Sequence, residues 1–126
     1  MNALRLRWIV AIIACTLVAS APVAARTTSD GLSTVVLSSL PKEARSLYVL
    51  IHAGGPFAYE RDGVVFGNRE HLLPAKPRGY YHEYTVTTPN AANRGARRIV
   101  CGGAARAPEA CYYSDDHYKT FRRIRE

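Results

Sequence analysis

The spacing of apolar residues between positions 41 and 54 predicts one amphipathic helix. The apolar positions follow each other three or four residues apart, which places them on one helix face: Ala44, Leu47, Tyr48 and Ile51. Pro41 stands where this helix should begin, and Glu43 suits the positive end of the helix dipole. The run Gly54-Gly55-Pro56 cannot continue a helix, so we expect the helix to end there.

Short segments rich in β-branched and aromatic residues surround the helix and are separated by turn residues. These segments predict strands over residues 34–37, 64–66, 80–86, 97–101, 112–113 and 117–124. A loop rich in Gly, Ala and Pro is expected between residue 101 and Cys111. One helix followed by several strands predicts an α+β fold, in which a single N-terminal helix packs on an antiparallel β-sheet.

The first 25 residues have the layout of a secretory signal peptide. Arg5 and Arg7 precede an apolar stretch, residues 8–19, and Val23-Ala24-Ala25 provides small residues for cleavage before Arg26. The apolar stretch is too short to span a bilayer comfortably. We therefore expect residues 1–25 to be removed near Ala25, and residues 26–126 to form one secreted, extracellular domain without stable membrane association.

Two alternatives remain open for this leader. Cleavage after Ala21 would fit almost as well, because Ala19-Ser20-Ala21 also supplies small residues. A lipoprotein signal with Cys15 as the lipidated residue is a minor alternative, because only about seven apolar residues would precede that cysteine.

The remaining chain is basic and carries two cysteines. Loss of Arg5 and Arg7 leaves 15 basic residues against 10 acidic ones, a net charge of +5. This charge favours a polyanionic partner, although it also fits an ordinary solvated surface. Cys101 and Cys111 in an exported chain predict one disulfide, whose short loop should contribute about 3 kcal/mol of stability. No second cysteine pair or neighbouring histidine completes a zinc site, so we expect no metal and no cofactor.

Strand alternation separates the candidate acid–base residues of segment 80–86. Tyr81, Glu83 and Thr85 share one face, whereas the residues between them share a mostly apolar face that should contact the core. Glu83 is a candidate general base on the open face, with a solvated surface carboxylate as the alternative. His82 points to the opposite side, so we expect a hydrogen-bonded core histidine there.

His117 and the arginines of segment 93–98 are the other candidates for chemistry. His117 follows a turn with two aspartates and could act as an acid or lie unused on the surface. Arg94, Arg97 and Arg98 could bind phosphate oxygens or form a solvated basic edge. Arg97 and Arg98 point to opposite sides of an extended segment, so only one of them can reach the open face.

A base, an acid and cations suffice to cleave RNA, because RNA supplies its own nucleophile in the 2′-hydroxyl beside each phosphate. Glu70, in the run Gly67-Asn68-Arg69-Glu70, could accept the two hydrogens that guanine presents from N1 and its exocyclic amine. Backbone amides of the Gly-Asn turn could donate to guanine O6. Such a carboxylate discriminates well, because a wrong base leaves it unpaired.

Four ordered motifs resemble those of the microbial guanyl-specific ribonuclease family. The resemblance is stronger to the ribonuclease Sa-like members of that family than to barnase. The motifs are DGVVFGNRE at residues 62–70, GYYHEYTVTTP at 79–89, RGARRI at 94–99 and DHYKTF at 116–121. The resemblance extends from about Val35 to Ile124. It implies the microbial ribonuclease fold and cleavage of single-stranded RNA on the 3′ side of guanosine. The implied reaction forms a 2′,3′-cyclic phosphate, which is then hydrolysed to a 3′-phosphate.

The resemblance also implies a role for each catalytic residue. Glu83 corresponds to the general base and His117 to the general acid. Arg94 and Arg98 correspond to the residues that hold the scissile phosphate, and Tyr118 contributes its hydroxyl. The choice between the two adjacent arginines is thereby made in favour of Arg98.

The implied guanine site has one departure from ribonuclease Sa-like members. Glu70 binds the base, Asn68 and Arg69 present backbone amides, and Phe66 lines the pocket. Gly67 replaces a larger polar residue, so one wall of the pocket should be looser. The disulfide departs as well: those members tie the N-terminal region to the C-terminus, whereas here a cysteine pair closes one hairpin.

Competing interpretations concern catalysis and biology. A basic RNA-binding module without catalysis would also use aromatic residues and arginines, but it needs no combination of Glu83, His117 and Glu70. A secreted toxin domain would share the same chemistry, and an acidic barstar-like intracellular inhibitor would then be expected in the producing cell. We expect a monomer that acts on single-stranded RNA and leaves DNA intact.

Overall fold

A computed structural model describes residues 31–126, so the predicted signal peptide, both cleavage positions and Cys15 lie outside the described residues. In chain order the elements are β1 (Thr34–Val36), a 3-10 turn (Leu37–Ser39), α1 (Lys42–Ala53), β2 (Tyr81–Thr85), β3 (Arg98–Ala104), β4 (Ala107–Ser114) and β5 (Arg122–Arg125). The strands form one sheet in the order β1-β5-β4-β3-β2. The pairing of β1 with β5 is parallel and the other pairings are antiparallel, which confirms the predicted α+β fold.

The single helix begins and ends where the sequence predicts. The Pro41 carbonyl accepts hydrogen bonds from the Ala44 and Arg45 amides at 3.0 and 3.1 Å, which closes the first turn. Gly54 ends the helix with φ of 83°, a left-handed conformation that glycine adopts without steric cost. The buried face of α1 packs on one side of the sheet, against a cluster that includes Tyr84, Val86, Ile99, Tyr113 and Ile124.

A second buried cluster covers the opposite side of the sheet. It consists of Leu73, Tyr81, Val100, Tyr112 and Phe121, with Phe66, Tyr80 and Tyr118 packed against it. The loop residues of this cluster come from the segments before β2 and after β4. The predicted open face is therefore partly covered by loops.

Three expected segments differ in the structure. Residues 64–66 form only an isolated bridge, Val65 to His82, although backbone hydrogen bonds still hold them beside β2. The loop expected before Cys111 is only a tight turn at residues 105–106, because β3 and β4 continue up to it, and the cysteine pair closes this hairpin as expected. Of the expected strand over 117–124 only the end is extended, since His117 and Tyr118 have φ of 54° and 70°.

The predicted disulfide is present between Cys101 and Cys111. These residues lie directly opposite each other on β3 and β4, and both are buried in the cluster beneath α1. Within residues 31–126 no helix is long and apolar enough to cross a membrane.

Candidate active site

Glu83 is a buried carboxylate on β2, on the loop-covered side of the sheet. Its side chain is only 10% exposed, and one oxygen accepts a hydrogen bond from the Tyr118 hydroxyl at 2.9 Å. Its other oxygen lies 3.7 Å from Arg94 Nη2 and 3.9 Å from Arg61 Nε. The alternative of a solvated surface carboxylate is therefore wrong, because the loop residues Arg61, Arg94 and Tyr118 enclose Glu83.

Arg94 and Arg98 lie on the same side of the sheet as Glu83. Arg94 is fixed by two hydrogen bonds to Thr85 Oγ1, from Nε at 3.0 Å and from Nη2 at 2.7 Å. Arg98 is paired with Thr85 across the strands, is 2% exposed, and donates from Nη1 to the Gly95 and Arg97 carbonyls at 2.9 Å. Its Nε is a buried donor without a hydrogen-bond partner in the described part of the chain, so an anionic oxygen bound beside it could satisfy it.

Arg97 points to the helix side, as strand alternation requires. Its Nη2 donates to the Thr87 carbonyl at 2.6 Å, and its Nη1 lies 4.0 Å from Glu43 at the start of α1. Of the two adjacent arginines, only Arg98 contributes to the cluster around Glu83.

A network of hydrogen bonds around Asp116 holds the following segment in its unusual backbone conformation. Asp116 Oδ1 accepts from Ser114 Oγ and from the Thr120 amide, both at 2.9 Å, and Oδ2 accepts from Thr120 Oγ1 at 2.6 Å. These hydrogen bonds lower the pKa of Asp116 to about 2, and the bond from the Thr120 hydroxyl has the largest effect. The His117 amide donates to the Ala96 carbonyl at 3.0 Å, which ties the segment to the arginine loop.

Tyr118 connects the exposed His117 imidazole to the buried Glu83. The ring centroids of His117 and Tyr118 are 4.9 Å apart, and the Tyr118 hydroxyl reaches Glu83. The guanidinium carbon of Arg98 lies 5.8 Å from the centre of the Tyr118 ring. Burial, followed by the hydrogen bond to Glu83, raises the pKa of Tyr118 to about 12, so its hydroxyl remains a donor at neutral pH.

A cavity of about 660 Å³ opens beside His117 and Tyr118, and all four predicted guanine-site residues line it. Phe66 packs against Tyr118 with ring centroids 5.0 Å apart, which gives the cavity an aromatic wall. Asn68 has φ of 50°, and its side-chain amide exchanges two hydrogen bonds with the Leu73 backbone, at 3.0 and 3.1 Å. The cavity is also lined by Gly67, Arg69, Glu70 and His117. An aromatic wall beside exposed backbone and an exposed carboxylate can accommodate a planar, hydrogen-bonding ring.

One expectation about histidine is wrong and one contact was not expected. His82, the second residue of β2, is partly exposed rather than buried in the core, and it lies on the side opposite Glu83.

Arg61 was not singled out from the sequence, yet it approaches Glu83. Asp62 fixes the turn against β2 by accepting a hydrogen bond from the Thr85 amide at 2.7 Å. The signal that could have found Arg61 is its position beside the Asp62-Gly63 turn.

The site can therefore perform acid–base chemistry next to an anionic group. It offers a carboxylate as proton acceptor, an imidazole as proton donor and guanidinium groups that can stabilise developing negative charge. Among residues 31–126 no group of three or more His, Cys, Asp or Glu residues is placed to hold a metal ion.

Comparisons with known proteins point to one family. A family model described as ribonuclease matches residues 23–125. Guanyl-specific ribonuclease Sa of Kitasatospora aureofaciens is 54% identical over 95 residues, which are 75% of this chain and 96% of that protein. Guanyl-specific ribonuclease St of Saccharopolyspora erythraea is 49% identical over 94 residues, which are 75% of this chain and 89% of that protein.

Solved structures of a further relative share the fold. The crystal structure of ribonuclease Sa2 with guanosine-2′-cyclophosphate has a TM-score of 0.68 and 49% identity, over 75% of this chain and 96% of that chain. Ribonuclease Sa2 with 3′-GMP matches at a TM-score of 0.66 and 49% identity, over 75% of this chain and 97% of that chain.

Proposed function

This chain belongs to the microbial guanyl-specific ribonuclease family, and on that premise we propose that it is an endoribonuclease that cleaves single-stranded RNA on the 3′ side of guanosine. The observation that carries the proposal is the convergence of Glu83, Tyr118, Arg94 and Arg98 beside a cavity that His117 also lines. The ligands named for ribonuclease Sa2, a guanosine cyclophosphate and 3′-GMP, fit the intermediate and the product of such a reaction.

In the first step the guanosine 2′-hydroxyl attacks the adjacent phosphorus and its proton passes to the Glu83 carboxylate. The bond between phosphorus and the 5′-oxygen of the next nucleotide breaks, and His117 protonates that oxygen as it leaves. The 2′,3′-cyclic phosphate is then opened by water, with His117 accepting the water proton and Glu83 returning its proton to the 2′-oxygen. The product is a 3′-phosphate, and both residues regain their starting state.

The arginines stabilise the negative charge that develops on the phosphate oxygens. Arg94 and Arg98 approach the site from β3 and the loop before it, and the buried Nε of Arg98 gains an acceptor when phosphate binds. Arg61 adds a third cation on the solvent side of Glu83. Because Tyr118 keeps its proton at neutral pH, it can donate to the phosphate or to Glu83.

The test of this function is the cleavage pattern of a defined RNA. Purified protein should cut after guanosine in excess EDTA, and it should leave DNA intact because DNA lacks the attacking hydroxyl. Early fragments should end in a 2′,3′-cyclic phosphate and late fragments in a 3′-phosphate. Cleavage that stops with EDTA and returns with magnesium would refute the proposed mechanism.

Guanine selection is assigned to Glu70, with the Asn68 and Arg69 amides and the Phe66 ring completing the base site. Glu70→Ala should lower cleavage after guanosine by about 100-fold or more and change cleavage after adenosine much less, since the acceptor for N1 and the exocyclic amine is lost. Glu60→Ala, an exposed carboxylate outside the cavity, is the matched control. A Glu70→Ala variant that keeps the wild-type ratio of GpN to ApN cleavage would remove this assignment.

The proposal also covers where the protein acts and which inhibitor protein would bind it. The signal-peptide pattern and the paired cysteines support secretion of residues 26–126, which we propose act as a monomer. If RNA cleavage serves as a toxin, the basic charge of this domain would suit an acidic barstar-like inhibitor inside the producing cell.

A further inference from the structure

We propose that this protein has a second RNA-binding site, which holds the phosphates on the 5′ side of the selected guanosine. The site is a cavity of about 370 Å³ whose lining includes the cations Arg69, Lys76 and Arg78, and we call it the basic groove. The proposal rests on the ribonuclease function above and extends it to the substrate beyond the cleaved linkage.

The basic groove adjoins the guanine cavity. Phe66, Gly67, Asn68 and Arg69 line both cavities, so segment 66–69 forms the wall between them. A nucleotide that follows the strand out of the guanine cavity across this wall would enter the groove.

The charge of the groove suits a phosphate chain. Its lining contains no carboxylate, and within residues 31–126 none of the three cations forms a salt bridge. Lys76 also lines a neighbouring cavity with Tyr80 and Glu109, and its Nζ lies 5.1 Å from the centre of the Tyr80 ring without forming a salt bridge to Glu109. Cations that share one cavity without a neutralising carboxylate attract a polyanion and make its binding dependent on salt.

The backbone around the groove is fixed by hydrogen bonds. The Tyr81 hydroxyl donates to the Pro74 carbonyl at 2.6 Å, and the Tyr80 amide donates to the Pro77 carbonyl at 3.1 Å. The Phe66 amide donates to the Tyr81 carbonyl at 2.9 Å, which ties the shared wall to β2. The groove is therefore a preformed surface, and little ordering is needed when RNA binds.

The position of the acid gives the direction of the strand. His117 must lie at the 5′-oxygen of the leaving nucleotide, which is on the 3′ side of guanosine. His117 lines the guanine cavity but not the basic groove, which lies beyond segment 66–69. The groove is thus left for the 5′ side of the strand.

The test compares three substrates that each contain one guanosine: GpC, the 5′-extended UpUpGpC and the 3′-extended GpCpUpU. At about 0.1 M salt, the double variant Lys76→Gln/Arg78→Gln should lower kcat/KM on UpUpGpC by about 5-fold for each phosphate contact that is lost. The slope of log kcat/KM against log salt concentration should become shallower by about 0.7 for each such contact. The variant's activity on GpC and GpCpUpU should match wild type. Arg69 is left intact because it belongs to the guanine site as well.

Two controls separate this effect from folding and from overall charge. Lys42→Gln/Arg45→Gln removes the same charge from exposed positions on α1 and should change none of the three rates. Lys76→Arg/Arg78→Lys retains both charges and should restore cleavage of UpUpGpC. Equal losses on all three substrates, or a larger loss on GpCpUpU, would overturn the proposal.

Fluorescence anisotropy can measure binding to the groove independently of catalysis. The ligand is UpUpGpC with 2′-deoxyguanosine in place of guanosine, which cannot be cleaved because it lacks the attacking hydroxyl. Weaker binding by Lys76→Gln/Arg78→Gln, but not by Lys42→Gln/Arg45→Gln, supports the groove, and equal binding by both refutes it. A protein that binds this ligand in the groove but cleaves no RNA would refute the ribonuclease function alone.

Discussion

Glu83 carries its charge in a buried position because the residues around it replace water. Burial of a carboxylate is costly unless it is paired and hydrogen-bonded, and here Tyr118, Arg94 and Arg61 provide those contacts. The same three residues surround the place where phosphate charge would develop. Contacts that make a buried base tolerable in the free protein therefore also prepare the site for an anionic substrate.

The roles of Glu83 and His117 can be separated by the pH dependence of transesterification. Since the base must be deprotonated and the acid protonated, the rate of the wild-type protein should follow a bell-shaped curve. Glu83→Gln should remove the acid limb and His117→Gln the alkaline limb, and each should lower the rate by about 100- to 10,000-fold. RNA binding should weaken much less, because the arginines remain.

His82→Gln is the control for this experiment, because His82 lies on the opposite side of β2 from Glu83. The folded variant should keep both limbs of the curve. Loss of the alkaline limb in His82→Gln, with normal cleavage by His117→Gln, would contradict the assignment.

Asp116 is a positioning residue whose effect should appear in stability as well as in turnover. Its pKa of about 2 lies below the ordinary value of 3.8, so its contribution to stability is complete above pH 4 and is lost as the pH falls toward 2. Asp116→Asn removes the acceptor of the Thr120 hydroxyl and should cost about 1 kcal/mol at pH 7. It should also slow turnover, because the backbone of His117 and Tyr118 loses part of its support.

Urea unfolding of both proteins between pH 2 and pH 7 checks this prediction. The stability difference between wild type and Asp116→Asn should shrink as the pH falls from 4 toward 2. A difference that stays constant over this range would show that the charge of Asp116 contributes nothing.

At the scale of elements, the helix was predictable because every signal for it is local. Apolar spacing, Pro41 and Gly54 all lie within 14 residues and agree with one another. The strand at 117–124 was not predictable in the same way. Its sequence favours an extended chain, but His117 and Tyr118 adopt left-handed conformations. Local hydrogen bonds of the turn, from the Thr120 amide to Asp116 and from the Tyr118 amide to Ser114, hold them there together with the tertiary bond from the His117 amide to Ala96.

In the candidate site, too, the features with local signals were predictable and those that depend on long-range contacts were not. Alternation within one strand correctly placed Glu83 opposite His82 and showed that Arg97 and Arg98 diverge, but the choice of Arg98 came from family resemblance. The burial of Glu83 and its contact with Arg61 depend on loops far away in sequence that fold over β2. Such contacts leave no periodic signal in a single sequence.

The hairpin of β3 and β4 allows stability and catalysis to be separated. Cys101 and Cys111 lie on the helix side, whereas Val100 and Tyr112 belong to the cluster on the side of the active site. Cys101→Ala/Cys111→Ala should lower the free energy of unfolding by about 3 kcal/mol, because the unfolded chain regains the entropy of the closed loop. Cleavage by the folded variant should be unchanged.

Urea unfolding of the variant, and of wild type with and without a reductant, measures this contribution. Reduced wild type should resemble the variant. Loss of cleavage by the folded variant would mean that the disulfide also positions the active site.

At the scale of the whole molecule, the sheet separates two tasks. One side is sealed by α1 and carries the disulfide, and the other side carries the acid–base residues, both cavities and the loops that build them. A basic domain of this kind attracts any polyanion, and in the proposed function the two cavities would add selectivity by holding a base and its flanking phosphates.

The last prediction concerns the exported form of the whole chain. If residues 1–25 are a signal peptide, Cys15 leaves with them and the mature protein keeps one cysteine pair joined as a disulfide. The intact mass of protein collected from the medium of a secreting bacterial host should therefore equal that of residues 26–126 less two hydrogens, and thiol titration should find no free thiol. Expression of residues 26–126 without the leader is the control, and it should leave the protein inside the cell. A chain that begins at Pro22 would place cleavage after Ala21, whereas a lipid on Cys15 or free thiols in the secreted protein would contradict soluble export.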